Sequence, residues 1–181
     1  MQFETAPIEG LLILTPKVFG DERGWFYESY HLPRFAEAGI DMRFDQDNRS
    51  CSVQHTLRGL HFQTSPGQAK LLSCVRGAIW DVAVDIRPQS PTLGKWHAVE
   101  LNQENKKQFF IPVGFAHGFV VLSKEAEVHY KCSAVYNAQT ESGIAWNDPD
   151  IAVDWPVNTP LLSKRDQENQ SFKEFLQTQN R

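Results

Sequence analysis

Lys70-Leu71-Leu72-Ser73-Cys74-Val75-Arg76-Gly77-Ala78-Ile79-Trp80-Asp81-Val82-Ala83-Val84-Asp85-Ile86 reads as two short strands, residues 70–75 and 79–86, broken by the turn signal Arg76-Gly77. Side chains alternate between faces along a strand. In the second strand Trp80, Val82, Val84 and Ile86 therefore share one face, and Asp81, Ala83 and Asp85 share the other. Two acids opposite an apolar face point to a polar cavity or to solvent. Lys70 opens a strand that reads as buried, where an ammonium is costly unless it is paired or functional.

The same texture extends in both directions. Residues 11–14, 24–30, 96–101, 108–111, 119–122 and 127–135 read as further strands. Between them stand turn signals at Pro66-Gly67, residues 88–91, residues 102–105 and Pro112-Val113-Gly114. Many short strands at near-regular spacing suggest a sandwich or a barrel, an all-β fold. Two helices are expected outside it. Residues 33–38 carry Pro in the first turn and Gly39 just past the end. Residues 166–177, near the C-terminus, are polar with a narrow apolar stripe of Phe172, Phe175 and Leu176.

The 181 residues suit one domain, 1–181, with no internal repeat, linker or low-complexity tract. A net charge of -4 argues against a nucleic-acid partner, which usually meets a basic face. No signal peptide is visible at Met1-Gln2-Phe3-Glu4, and no apolar run approaches the ~18 residues of a membrane span. Cys51, Cys74 and Cys132 are odd in number and widely spaced, so they read as small buried thiols in a reducing cytoplasm rather than as a disulfide framework or a zinc site.

Several segments carry polar groups of chemical interest. Leu57-Arg58-Gly59-Leu60-His61-Phe62-Gln63 sets an Arg, a turn Gly and a His within four positions; alone it also reads as a surface Arg and a hydrogen-bonded His on a strand. Pro112-Val113-Gly114-Phe115-Ala116-His117 matches Pro-x-Gly-x-x-His, one half of the cupin double motif, whose His is a ligand in metal cupins. The other half needs a His-x-His pair and a Glu, but here only His61 is offered. Two histidines fall short of the three or four ligands of a mononuclear site, so no metal and no other cofactor is expected. Along residues 127–135, Tyr130 and Cys132 face one way and His129 and Lys131 the other. Asp21-Glu22-Arg23-Gly24 with Phe26-Tyr27-Glu28 also reads as a solvated hairpin turn, and Phe44-Asp45-Gln46-Asp47-Asn48 as a polar loop. Ser163-Lys164-Arg165-Asp166 is close to a capping box at a helix start.

Taken together and in order, these segments resemble the dehydrorhamnose-epimerase family of the cupins, the dTDP-4-dehydrorhamnose 3,5-epimerases. The resemblance runs from Pro16 to Asp166 and is strongest over residues 20–28, 46–48, 57–63, 81–87, 111–119 and Trp146-Asn147-Asp148-Pro149-Asp150. It implies a cupin-type jelly-roll barrel, a homodimer, no metal and a part in making dTDP-L-rhamnose from a dTDP-linked 4-keto-6-deoxyhexose. It implies that His61 is the general base, Asp166 its carboxylate partner, Tyr130 the acid and Lys70 the cation near the ketone oxygen. It also implies that Arg23, Glu28, Gln46, Asn48, Arg58, His117 and Glu141 bind nucleotide or sugar. Phe26 is a candidate to stack on the base, with Asp47 in the loop that reads its edge. Members usually carry Ser-x-Lys-Asp where this chain has Ser163-Lys164-Arg165-Asp166, so Arg165 brings the same charge with different hydrogen-bond geometry.

The chemistry needs such groups. A 4-keto sugar has acidic hydrogens at C3 and C5, because loss of either gives an enolate. Inversion requires a base, an oxyanion stabiliser and an acid on the opposite ring face. An imidazole, ordinarily titrating near pH ~6.5, suits the base, and a buried carboxylate fixes its tautomer. No Gly-rich phosphate loop is present, so Arg23 and Arg58 are the fork donors for a diphosphate. Three other readings share parts of this set: a relative that inverts one carbon or isomerises the ketone, a non-catalytic sugar-binding cupin, and a metal cupin.

Overall fold

A computed structural model describes residues 1–179; Asn180 and Arg181, the last two residues of the expected domain, lie outside the described residues. In chain order the elements are β1 (Gln2–Thr5), β2 (Leu12–Thr15), β3 (Phe19–Asp21), β4 (Gly24–Phe26), α1 (Leu32–Glu37), β5 (Gln46–Val53), β6 (Leu57–Gln63), β7 (Lys70–Arg76), β8 (Ala78–Asp85), β9 (Trp96–Asn102), β10 (Gln108–Ile111), β11 (Phe115–Val121), β12 (Glu125–Cys132), β13 (Glu141–Gly143), α2 (Lys164–Gln167) and α3 (Phe172–Gln179). One sheet has six strands in the order β1-β2-β10-β7-β12-β5, and a second has five in the order β13-β6-β11-β8-β9. All pairings within them are antiparallel. The two sheets form an all-β jelly roll with short helices outside.

The core between the sheets joins Leu72, Cys74, Phe109 and Val128 of the first to Ile79, Ala83, Val99 and Phe119 of the second. Both sheets are also covered on their outer faces, which is why β10 and β11 are buried along their whole length. Phe35 and Ile40, from α1 and the turn after it, cover Leu14, Leu71 and Phe110. Ile144, Ile151, Trp155, Phe172 and Phe175 cover Val82, Val84 and Ile86. Each fully buried side chain of this size contributes about 1.5–3 kcal/mol. The parity read for β8 holds: its apolar face meets this C-terminal cover, and Asp81 and Asp85 point the other way, fully buried. Asp85 is clamped by Arg87, Ser90 and Thr92.

Several boundaries differ from expectation. The strand expected over residues 24–30 stops at Phe26: Tyr27 stacks on Trp25, and Tyr30 turns inward against Phe35 and Phe44. Residues 46–48 are not a loop but the start of an eight-residue strand. The strand expected over 119–122 begins at Phe115, straight after the Pro112–Gly114 turn, and that over 127–135 is Glu125–Cys132. The helix expected over 166–177 is two helices. Gln170 leaves helical geometry to bridge Ile144, and Ser171 starts a new helix by accepting from Glu174 N at 3.2 Å while Glu174 accepts from Ser171 N at 2.8 Å. Cys74 and Cys132 are buried as expected, but Cys51 is exposed on the outward face of β5.

Candidate active site

Backbone geometry on β6 brings the two motif histidines together. His61 is paired with His117 across β6 and β11, yet Phe119 is paired with Arg58, so β6 holds one extra residue between these pairs. Strict alternation would put Arg58 and His61 on opposite faces; this irregularity turns both into one cavity. Gly59 makes it possible: its φ is +148°, and a Cβ there would lie 2.6 Å from Gly118 Cα. Neither position accommodates a side chain without moving the strands apart.

The cavity, of about 230 Å³, is lined by Ser50, Arg58, His61, Lys70, His117, Phe119, Tyr130, Ser163, Arg165 and Asp166. His61 Nε2 lies 2.5 Å from Asp166 Oδ1. Asp166 is the third residue of α2, whose N-cap Ser163 both accepts from Asp166 N at 3.1 Å and donates to Asp166 Oδ2 at 2.7 Å. The capping reading and the carboxylate-partner reading of Ser163 and Asp166 thus describe one arrangement. Burial alone would raise the Asp166 pKa, but the hydrogen bonds from His61 and Ser163 outweigh it and hold the carboxyl below its ordinary value.

Lys70 is buried where β7 begins. Desolvation pulls its pKa below that of a free amine, while the nearby Cys132, Asp81 and Glu141 oppose that shift. Tyr130 faces inward from β12, and burial raises its phenol above the ordinary value. Its neighbour His129 faces outward, with Nε2 3.8 Å from Asp47. His117 Nε2 lies 3.0 Å from Asp81 Oδ2, deep in the barrel. Burial pushes the imidazole down and the carboxyl up, while the attraction between the two groups opposes both shifts. His61 and His117 thus turn Nε2 to different carboxylates, and among the described residues no group of three His, Cys, Asp or Glu side chains is placed to hold a metal ion.

Of the residues expected to bind substrate, Arg58, His117 and Arg165 line this cavity. Glu141 stands beside it, 2.7 Å from Arg165. Gln46 and Asn48 share the inward-facing set of β5 and are joined by a 2.9 Å hydrogen bond, with Asn48 also donating to Cys132 Sγ. Asp47, on the other face, is paired with Lys131. Arg23 and Phe26 sit on the exposed β3–β4 hairpin and line a separate cleft, and Glu28 is paired with Arg34. Ser50 and Phe119 were not expected here; their strand parity with Asn48 and His117 is the signal that would have found them.

A model of the family described as dTDP-4-dehydrorhamnose 3,5-epimerase matches residues 5–174. The chain belongs to the dTDP-4-dehydrorhamnose 3,5-epimerase family. It is 54% identical over 167 residues to the dTDP-4-dehydrorhamnose 3,5-epimerase of Shigella flexneri, covering 91% of this chain and 92% of the relative. It is 47% identical over 176 residues to that of Methanothermobacter thermautotrophicus, covering 96% and 95%. Among solved structures, the dTDP-6-deoxy-D-glucose-3,5-epimerase of Legionella pneumophila in complex with dTDP-4-keto-L-rhamnose superposes with a TM-score of 0.93 at 47% identity, covering 95% of this chain and 93% of the other. The jelly roll described above is the cupin fold of these epimerases.

Proposed function

We infer that this protein is an isomerase that converts dTDP-4-dehydro-6-deoxy-D-glucose to dTDP-4-dehydro-L-rhamnose, by inverting C3 and C5 in dTDP-L-rhamnose biosynthesis. The observation that carries the reading is the 2.5 Å His61–Asp166 contact in the same small cavity as Lys70 and Tyr130. With Nε2–H donated to Asp166, the ring keeps a lone pair on Nδ1 for the hydrogen on a carbon beside the ketone. The electrons of that C–H bond pass into an enolate, whose negative oxygen the Lys70 ammonium stabilises. Tyr130 returns a proton to the carbon from the other ring face, and the ketone re-forms inverted. Once His61 has passed its proton to solvent and the Tyr130 phenolate has regained one, the same steps serve the second carbon, because both flank one carbonyl.

Arg58 supplies a fork for a substrate phosphate, with Arg165 and Glu141 at the rim. The β3–β4 hairpin carries Phe19, Trp25 and Phe26 at 54%, 63% and 68% exposure beside Arg23, a large apolar tip left exposed even with the Lys17 ammonium over Phe19, the Lys106 ammonium over Trp25 and Tyr27 stacked on Trp25. That supports a homodimer in which this tip packs on the second copy and Arg23 and Phe26 serve the nucleotide end of its site. One domain over residues 1–181 acts in the cytoplasm, in keeping with three unpaired cysteines. No helix among the described residues is long and apolar enough to cross a membrane.

Incubation with dTDP-4-keto-6-deoxyglucose in deuterated water, read by NMR, tests the function: the native protein introduces deuterium at both C3 and C5. Label at one carbon would restrict the reaction to that centre. In His61→Ala exchange falls roughly a thousandfold at both carbons. Tyr130→Phe keeps exchange but loses inverted product, and equal yields would remove Tyr130 from the chemistry.

A further inference from the structure

Among the described residues, the buried side-chain atoms with no hydrogen-bond partner are Ser50 Oγ, Gln63 Nε2, His97 Nε2 and Gln108 Oε1. An unmatched buried polar group is costly, so each calls for a reason. Of the four, only Ser50 lines the cavity that holds His61, Lys70 and Tyr130.

Its neighbours on β5 narrow that reason. Gln46, Asn48, Ser50 and Ser52 share the inward-facing set of the strand. Gln46 Nε2 donates to Asn48 Oδ1, Gln46 Oε1 accepts from Tyr136 N and Asn48 Nδ2 donates to Cys132 Sγ, and Asn48 stands opposite Tyr130 on β12. Ser52 accepts from Arg58 Nε at 3.1 Å, so the guanidinium proposed to hold a phosphate lies against the position after Ser50. Ser50 therefore stands one inward position from the proposed acid's partner and one from the anion-binding Arg. A serine hydroxyl is one donor with two acceptor lone pairs, and it rotates to suit its partner. A bare apolar wall would serve packing alone equally well.

We propose that Ser50 is a substrate-binding residue of this epimerase, donating its hydroxyl hydrogen bond to an oxygen of the nucleotide-linked sugar between Tyr130 and Arg58. The proposal rests on the epimerase reading. The oxygen belongs either to a ring hydroxyl or to the attached phosphate, which offer the same acceptor chemistry.

The test compares native protein with Ser50→Ala and with Ser50→Cys, which keeps the size but donates poorly. Steady-state kinetics use dTDP-4-keto-6-deoxyglucose, and calorimetry uses dTDP alone. In both variants kcat/KM falls roughly tenfold, mostly through KM. The melting temperature of Ser50→Ala stays level or rises, because alanine removes a hydroxyl that no protein group among the described residues bonds. An equal loss of dTDP affinity assigns the bond to phosphate; unchanged dTDP affinity assigns it to the sugar. Kinetics within twofold of native in both variants overturn the proposal, and so does a lowered melting temperature with native kinetics. If the native protein does not turn the substrate over, the functional reading itself fails and this assignment falls with it.

Discussion

His61 and Asp85 show how a jelly roll handles ionisable side chains in opposite ways. Despite burial, the pKa of Asp166, the partner of His61, is held below its ordinary value by hydrogen bonds at the edge of a cavity, where on the proposed mechanism the carboxylate charge would steady a forming imidazolium. Asp85 is sealed in the corner between β8 and β9. Burial would raise its pKa, but bonds from Arg87, Ser90 and Thr92 outweigh that and bring it to about 2. A carboxyl depressed in the folded state stabilises above its unfolded pKa of about 3.9, and that stabilisation fades as pH falls through the folded value. Asp85→Asn is therefore expected to lose about 2 to 3 kcal/mol at pH 7 in urea titrations. The gap to native should be full at pH 5, narrow below about 3.9 and nearly close by about pH 2. A gap independent of pH would mean that shape rather than charge holds this corner.

At the level of strands, the site depends on one irregularity in β6. The extra residue between the His61–His117 and Arg58–Phe119 pairs turns Arg58 inward beside His61, and the close passage of Gly59 over Gly118 permits it. Gly59→Ala is expected to cost about 3 kcal/mol in thermal unfolding and to depress activity in the protein that still folds, because β6 must move away from β11. Native stability and turnover in that variant would show that the strands part without consequence. This feature was not readable in the chain, since a lone Gly in a strand marks a bulge or a close approach without saying which. β5 was hidden for another reason. Both its faces are polar, Gln46, Asn48, Ser50 and Ser52 within and Asp47, Arg49 and Cys51 without, so no hydrophobic period distinguishes it from a loop. β8 was legible because its two faces differ. The break between α2 and α3 was legible too, since Ser171-x-x-Glu174 is a capping box, but the stripe of Phe172, Phe175 and Leu176 drew one helix through it. His61, Lys70, Tyr130 and Asp166 came from the family pattern; their meeting in one cavity is a property of the folded sheets.

Across the whole molecule, the β3–β4 hairpin stands apart from both large sheets and carries its aromatics outward. Within the chain, Trp25→Ala combined with Phe26→Ala removes exposed side chains whose ring contacts are the Trp25 stack on Tyr27 and the Lys106 ammonium over Trp25, so circular dichroism and melting of the barrel should change little. If the hairpin forms the proposed homodimer, sedimentation should shift toward a monomer, and dTDP affinity should fall at least roughly tenfold where the tip completes the second copy's site. An unchanged sedimentation coefficient would leave the hairpin as ornament. The C-terminal cover has a different consequence. It brings Asp166 to a histidine 105 residues earlier in the chain. During synthesis the ribosome releases the strand bearing His61 long before the segment that orients its ring. On the proposed mechanism a chain truncated before Ser163 lacks the carboxylate that orients the base, so it is expected to be inactive toward keto sugars in the deuterium-exchange assay.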